Sequence, residues 1–236
     1  MWLKSTDIES LFDYILKYSY LLPVVTFLLF HKKIGADRKV ITILVYCGLI
    51  FIILYLHDFI PRKYRIQYHY QSWFTFVEYI AFALIFFYSI QNRIFSRVIL
   101  GLSIGFVIFQ IIFTLTVQST VLDSVPVGVE TILIFLFSFY FFYQEFKKES
   151  QLLMRNAMFW VSIGIFFYLA GSFFFNILAN HMTQREIDTY WYYTYLFDIV
   201  KNCCFAVGFI LYRQAPKAER PSMPFLDMDF KHSTNR

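Results

Sequence analysis

Seven apolar runs divide this chain, at about 10–30, 40–59, 72–90, 98–117, 125–143, 157–180 and 190–212. Each is long enough to cross the ~30 Å hydrocarbon layer of a bilayer as a helix. Inside that layer only helices and closed barrels satisfy their own backbone groups. The connections are short: HKKIGADRK, PRKYRIQYHYQ, QNRIFSR, QSTVLDS, QEFKKESQLLMRN and HMTQREIDT. Successive helices are therefore expected to be antiparallel neighbours, with no room for an inserted soluble domain. The predicted fold class is all-α, a polytopic membrane protein with seven transmembrane helices. It divides into a short N-terminal segment (1–9), the bundle (10–212) and a tail (213–236) whose prolines and mixed charge read as disordered.

Composition agrees. Of 236 residues, 58% are hydrophobic and only 16% charged, where soluble domains are nearer a quarter charged. The net charge of +5 is not a nucleic-acid signal, because the basic residues sit in short loops between apolar runs. Fourteen Lys and Arg fall on the side holding Lys32, Arg38, Arg97, Lys147 and the tail, against five on the other. By the positive-inside rule the N-terminus is expected outside and the C-terminus in the cytoplasm, as for a multi-pass protein of the inner (cytoplasmic) membrane. Cys47, Cys203 and Cys204 all lie in apolar segments without Cys-x-x-Cys spacing, so neither a disulfide nor a structural zinc site is expected.

The last run, WYYTYLFDIVKNCCFAVGFILY, carries Asp198, Lys201 and Asn202 near its middle. At i, i+3 and i+4 these share one helix face. An ionisable group within a span costs about 2.5–3.5 kcal/mol on insertion scales, so it faces a bundle interior or a water-filled cavity. Glu78 in the third span and Glu130 in the fifth also lie inside, as does Asn176 in the sixth. With the expected orientation nearly every polar group falls in the outer half, while inner stretches such as LIFFYSI and FLFSFYFFY are apolar and aromatic. A polar pocket toward the outer surface is expected, lined by Glu78, Glu130, Asn176, Asp198, Lys201 and Asn202, with His57, Asp58, Asn180 and His181 at its rim.

Plainer roles stand beside that one. Asp13 and Lys17 are four apart and can pair near the interface. Glu130 can serve the first turn of its helix, where negative charge is favoured. Lys201 can be a structural partner for Asp198, Glu78 or Glu130. Gly101-x-x-x-Gly105 allows close approach of another helix, as does the Gly164, Tyr168, Gly171, Ser172, Asn176, Asn180 stripe. Pro23 is expected to kink the first span.

The runs VETILIFLFSFYFFYQ, FWVSIGIFFYLAGSFFFNILAN and DIVKNCCFAVGFILY resemble a group of seven-helix bacterial membrane proteins that look like the sensory membrane modules associated with histidine kinases. The likeness covers roughly residues 72–212 and carries over no site residue. It implies a sensor or receptor-like module that takes an unidentified small ligand at its outer side and signals through a separate cytoplasmic or membrane partner.

Other classes leave weaker traces. A small transporter or proton-coupled carrier would use Glu78 and Asp198 as titrating groups. A lipid-directed intramembrane enzyme would need a nucleophile or metal motif, and no nucleophile elbow, paired-histidine helix or phosphate loop is present. A retinal protein would use Lys201 as a Schiff base, but the flanking aromatic and proline patterns of that class are missing. No catalytic residue, cofactor or metal is therefore assigned.

Overall fold

A computed structural model describes residues 5–34, 37–57, 59–60, 70–116, 124–147, 153–178 and 182–214. The elements are α1 (Ser5–Ser19), α2 (Leu21–Ile34), α3 (Arg38–His57), α4 (Tyr70–Ser89), α5 (Arg93–Thr116), α6 (Ser124–Phe146), a 3-10 turn at Leu153–Arg155, α7 (Ala157–Leu178) and α8 (Gln184–Gln214). No strand occurs among the described residues. Seven stretches are long and apolar enough to span a membrane: Leu11–Lys32, Arg38–His57, Ser72–Ser89, Arg93–Thr116, Val125–Phe146, Ala157–Phe175 and Tyr193–Tyr212. The chain is a multi-pass helical bundle by that measure. Each predicted run corresponds to one of these stretches, with boundaries moved by a few residues.

The first span is broken at Tyr20, where α1 ends and α2 begins. Pro23 explains the position. Its ring lacks an N–H and crowds the carbonyl four residues back, which belongs to Ser19, the last residue of α1. The expected kink is thus a break three residues before the proline. The expected Asp13–Lys17 pair also forms, at 2.5 Å.

Helix neighbours define the architecture. α2 packs on α3, α3 on α4, α4 on α6, α6 on α7, α7 on α8, and α8 back on α2. This order closes a ring of six helices. α5 lies outside it, against α4 and α6. Gly101 and Gly105 of α5 have nothing within 4 Å of where a Cβ would sit. The Gly101-x-x-x-Gly105 face therefore meets no helix among the described residues, contrary to the close approach expected there. Close approach is found instead between α7 and α8: a Cβ on Gly164 would lie 2.8 Å from Cys204 Cβ and 3.1 Å from the Lys201 carbonyl, and one on Gly208 would lie 3.0 Å from the Ala157 carbonyl.

At the end of the bundle holding Tyr212, three cap residues each serve two helices. Asp37 Oδ1 accepts from the Lys39 amide at 3.3 Å, and its Oδ2 accepts from the Tyr212 hydroxyl. Asn92 Oδ1 accepts from the Ile94 amide at 2.9 Å while its Nδ2 donates to Tyr140 at 2.8 Å. Asn156 Oδ1 accepts from the Met158 amide at 2.9 Å while its Nδ2 donates to Glu145 at 2.6 Å. Each cap meets an otherwise unpaired helix N–H and ties that helix start to the end of another. Above these ties the ring interior is filled by Phe82, Phe86, Phe137, Phe141, Phe205 and Phe209, all fully buried. The apolar half read from the sequence is a packed aromatic plug.

Candidate functional site

Four of the six ring helices and the α1–α2 break meet at one ammonium group. Lys201 of α8 is completely buried, and its Nζ spends all three N–H bonds. It donates to Tyr46 Oη of α3 at 2.6 Å, to Asp198 Oδ1 at 2.7 Å, and to Tyr20 Oη at the α1–α2 break at 3.2 Å. Glu78 Oε1 of α4 stands 3.5 Å away as a second counter-charge. The Tyr168 ring of α7 lies beneath the ammonium, centroid 3.8 Å from Nζ.

The tyrosines link the lysine to both carboxylates. Tyr20 accepts from Lys201 and donates to Asp198 at 2.6 Å. Tyr46 accepts from Lys201 and donates to Glu78 Oε1 at 2.7 Å. Tyr168 donates to Glu78 Oε2 at 2.8 Å. These distances fall in or near the range of charge-assisted O–H···O bonds. Moving a carboxylate or ammonium out of water costs several kcal/mol even after relaxation, and only dense hydrogen bonding of this kind offsets it. The group has two similar arms, one ending on the lysine's own helix and one across the bundle.

A fifth ring helix, α6, supplies Glu130, 2% exposed. Among the described residues its Oε1 has no hydrogen-bond partner. With Glu78, Thr75, Tyr168 and Ser172 it lines a cavity that offers about 30 Å³ to the centres of water molecules. One water needs at least ~10–15 Å³, so there is room for two or three waters. Five of the six ring helices, with the α1–α2 break, thus turn one polar group or more into the interior.

Of the predicted pocket residues, Glu78, Asp198 and Lys201 form a single hydrogen-bonded group. Glu130 shares the small cavity with Glu78. Asn202 is fully buried but apart, donating to Ser19 Oγ at 2.8 Å and fastening the α1–α2 break to α8. His57 is half-buried at the end of α3. The side chain of Asn176, and Asp58, Asn180 and His181, lie outside the described residues. Tyr20 and Tyr46 were not anticipated. One signal existed: tyrosines of membrane helices belong at the interfaces, and these two lie near mid-span. Among the described residues no set of three His, Cys, Asp or Glu side chains converges on a metal-binding position.

Comparison with family models, with characterised proteins and with solved structures finds no match to this chain.

Proposed function

We propose that this chain is a seven-helix sensor module of a bacterial inner membrane, N-terminus outside, in which the Lys201 group couples a small polar pocket to the packing of the ring. The observation that carries this reading is the convergence of Tyr20, Tyr46, Glu78, Tyr168 and Asp198 on one buried ammonium. A change at Glu78 is felt at once by α3, α7 and α8, because that carboxylate accepts from two of them and faces the lysine of the third. Lys201 stands between two carboxylates, so a ligand that engages Glu78 shifts the ammonium's balance toward Asp198. Such a ligand binds the two arrangements with different affinity, which is the requirement for signalling. The output passes to a separate cytoplasmic or membrane partner from the Tyr212 end.

The test is a distance measurement in lipid nanodiscs. Nitroxides replace the exposed Lys32 and Lys147 in a background with Cys47, Cys203 and Cys204 substituted. Glu78→Gln is expected to change the distance distribution at this end; identical distributions for folded parent and variant overturn the reading.

A proton-coupled carrier is the second reading, favoured by the hydroxyl-bridged chain from Asp198 through Lys201 to Glu78. The aromatic plug below that chain opposes it. Proton flux in dye-loaded proteoliposomes, lost in Glu78→Gln, would replace the sensor reading with this one.

A further inference from the structure

The cavity between α4, α6 and α7 is small and sets the oxygens of Thr75, Glu78, Glu130, Tyr168 and Ser172 among apolar Phe74, Val127 and Leu169. Glu130 lies almost wholly out of solvent, with a carboxylate oxygen that has no partner among the described residues. A buried polar atom without a partner costs about 1–3 kcal/mol, and more when charged. Native structures rarely leave one without a ligand or an ordered water. The other lining oxygens are placed to accept. Ser172 gives its hydroxyl proton to backbone carbonyls, to Tyr168 O at 2.9 Å with Leu169 O at 3.4 Å, so its oxygen meets any further group as an acceptor. Tyr168 gives its proton to Glu78, so its oxygen too is an acceptor. Thr75, 1% exposed, adds a third hydroxyl.

Charge points the same way. Glu78, Asp198 and Glu130 bring three carboxyl groups to this part of the interior, and Lys201 brings one ammonium. Glu130 has no ion-pair partner among the described residues. A positive charge in the cavity would meet Glu130 directly and share Glu78 with Lys201.

We propose that the Glu78–Glu130 cavity is a binding site for one sodium-sized monovalent cation. Carboxylate and hydroxyl oxygens are hard ligands suited to hard cations, and the set contains no nitrogen or sulfur that would favour a transition metal. Hydration and charge decide between the hard ions. Magnesium retains several waters, more than so small a space holds. Calcium, close to sodium in size, calls for the full charge of both carboxylates, and Glu78 already shares its charge with Lys201, so a single positive charge matches the site. Its binding draws Glu78 toward α6 and weakens that carboxylate's hold on Lys201. The inference rests on the sensor reading for its consequence, but binding itself is measured independently of signalling.

The experiment is thermal unfolding of the purified protein in nanodiscs, followed by tryptophan fluorescence at constant ionic strength. Sodium chloride replaces choline chloride stepwise, with parallel series in potassium, calcium and pH. Sodium is expected to raise Tm by about 5–10 °C at a hundredfold excess over its dissociation constant. Choline gives no shift. Glu130→Gln is expected to abolish the sodium response. Thr75→Val, which keeps every charge, is expected to raise the half-saturating sodium concentration about tenfold, and it carries the test if Glu130→Gln does not fold. The proposal is overturned by a parent protein indifferent to sodium, by a stabilisation that follows calcium alone or pH alone, or by an unchanged sodium response in either variant. Sodium-dependent Tm with no change in the nitroxide distances would keep the site and remove the signalling role.

Discussion

Tyr168 holds both charges of the central pair at once: its ring face lies 3.8 Å from Lys201 Nζ, and its hydroxyl donates to Glu78 Oε2 at 2.8 Å. The two contacts use different parts of one side chain and can be removed separately. Tyr168→Phe keeps the ring and deletes the bond to Glu78. It is expected to cost about 1.5–3 kcal/mol, the range for hydrogen bonds to charged groups. Tyr168→Leu also removes the cation–π contact, adding about 2 kcal/mol where the site is desolvated. Unfolding in graded denaturing detergent checks this, and equal losses in the two variants would show that the ring face contributes nothing.

The two carboxylates around Lys201 are not equivalent to it. Asp198 bonds at 2.7 Å and Glu78 stands at 3.5 Å. Lys201→Met leaves both carboxylates buried without a counter-charge and is expected to cost about 3–5 kcal/mol, as for a broken buried pair. Asp198→Asn leaves Lys201 with Glu78 and two tyrosines, so its cost should be smaller by about 1–2 kcal/mol. The double variant should be less stable than Asp198→Asn but more stable than Lys201→Met. Thermal scans of the three variants test the order; Asp198→Asn proving the most damaging would mean that Glu78 does not serve as the reserve partner.

Much of this arrangement was legible beforehand, for reasons that can be named. Hydropathy finds the spans because a helix in hydrocarbon must be apolar along most of its length. Glu78, Asp198 and Lys201 stand out because ionisable groups at mid-span are rare. Tyr20 and Tyr46 did not stand out in a chain with 18 tyrosines, where a hydroxyl in the core looks like one more aromatic. A pocket holding Glu78 and Glu130 was expected, but its small size and its walls were not legible, because they depend on α4, α6 and α7 being neighbours, and sequence order does not give that. Nor was the outward face of Gly101 and Gly105. Spacing says that a helix can approach, not that one does.

The glycines make that last difference measurable. Gly164 and Gly208 lie where α7 and α8 touch, and an added methyl at either would meet backbone carbonyl oxygens at 3.1 and 3.0 Å. Backbone cannot yield as a side chain tip can. Gly164→Ala and Gly208→Ala are each expected to destabilise by about 1–3 kcal/mol. Gly101→Ala and Gly105→Ala meet open space and replace glycine in a helix interior, so they should be neutral or stabilising by up to ~1 kcal/mol. A loss of stability in the Gly101 or Gly105 variant would place a second molecule on that face.

The shared caps at the Tyr212 end set how the ring can move. Asn156 caps α7 with its oxygen and holds Glu145 of α6 with its nitrogen, so the two roles separate by substitution. Asn156→Ala removes both and is expected to cost about 1–3 kcal/mol, combining a lost cap with a lost charged hydrogen bond. Asn156→Asp keeps an acceptor for the Met158 amide but sets a second carboxylate against Glu145. It should leave the start of α7 protected while freeing the end of α6. Hydrogen exchange reads the two apart: faster exchange over 140–146 with unchanged exchange at 158–162 is the expected pattern for Asn156→Asp, and loosening of both for Asn156→Ala. Were Asn156→Asp to loosen α7 alone, Glu145 would not be held through this residue, and movement of α6 at this end would need another latch.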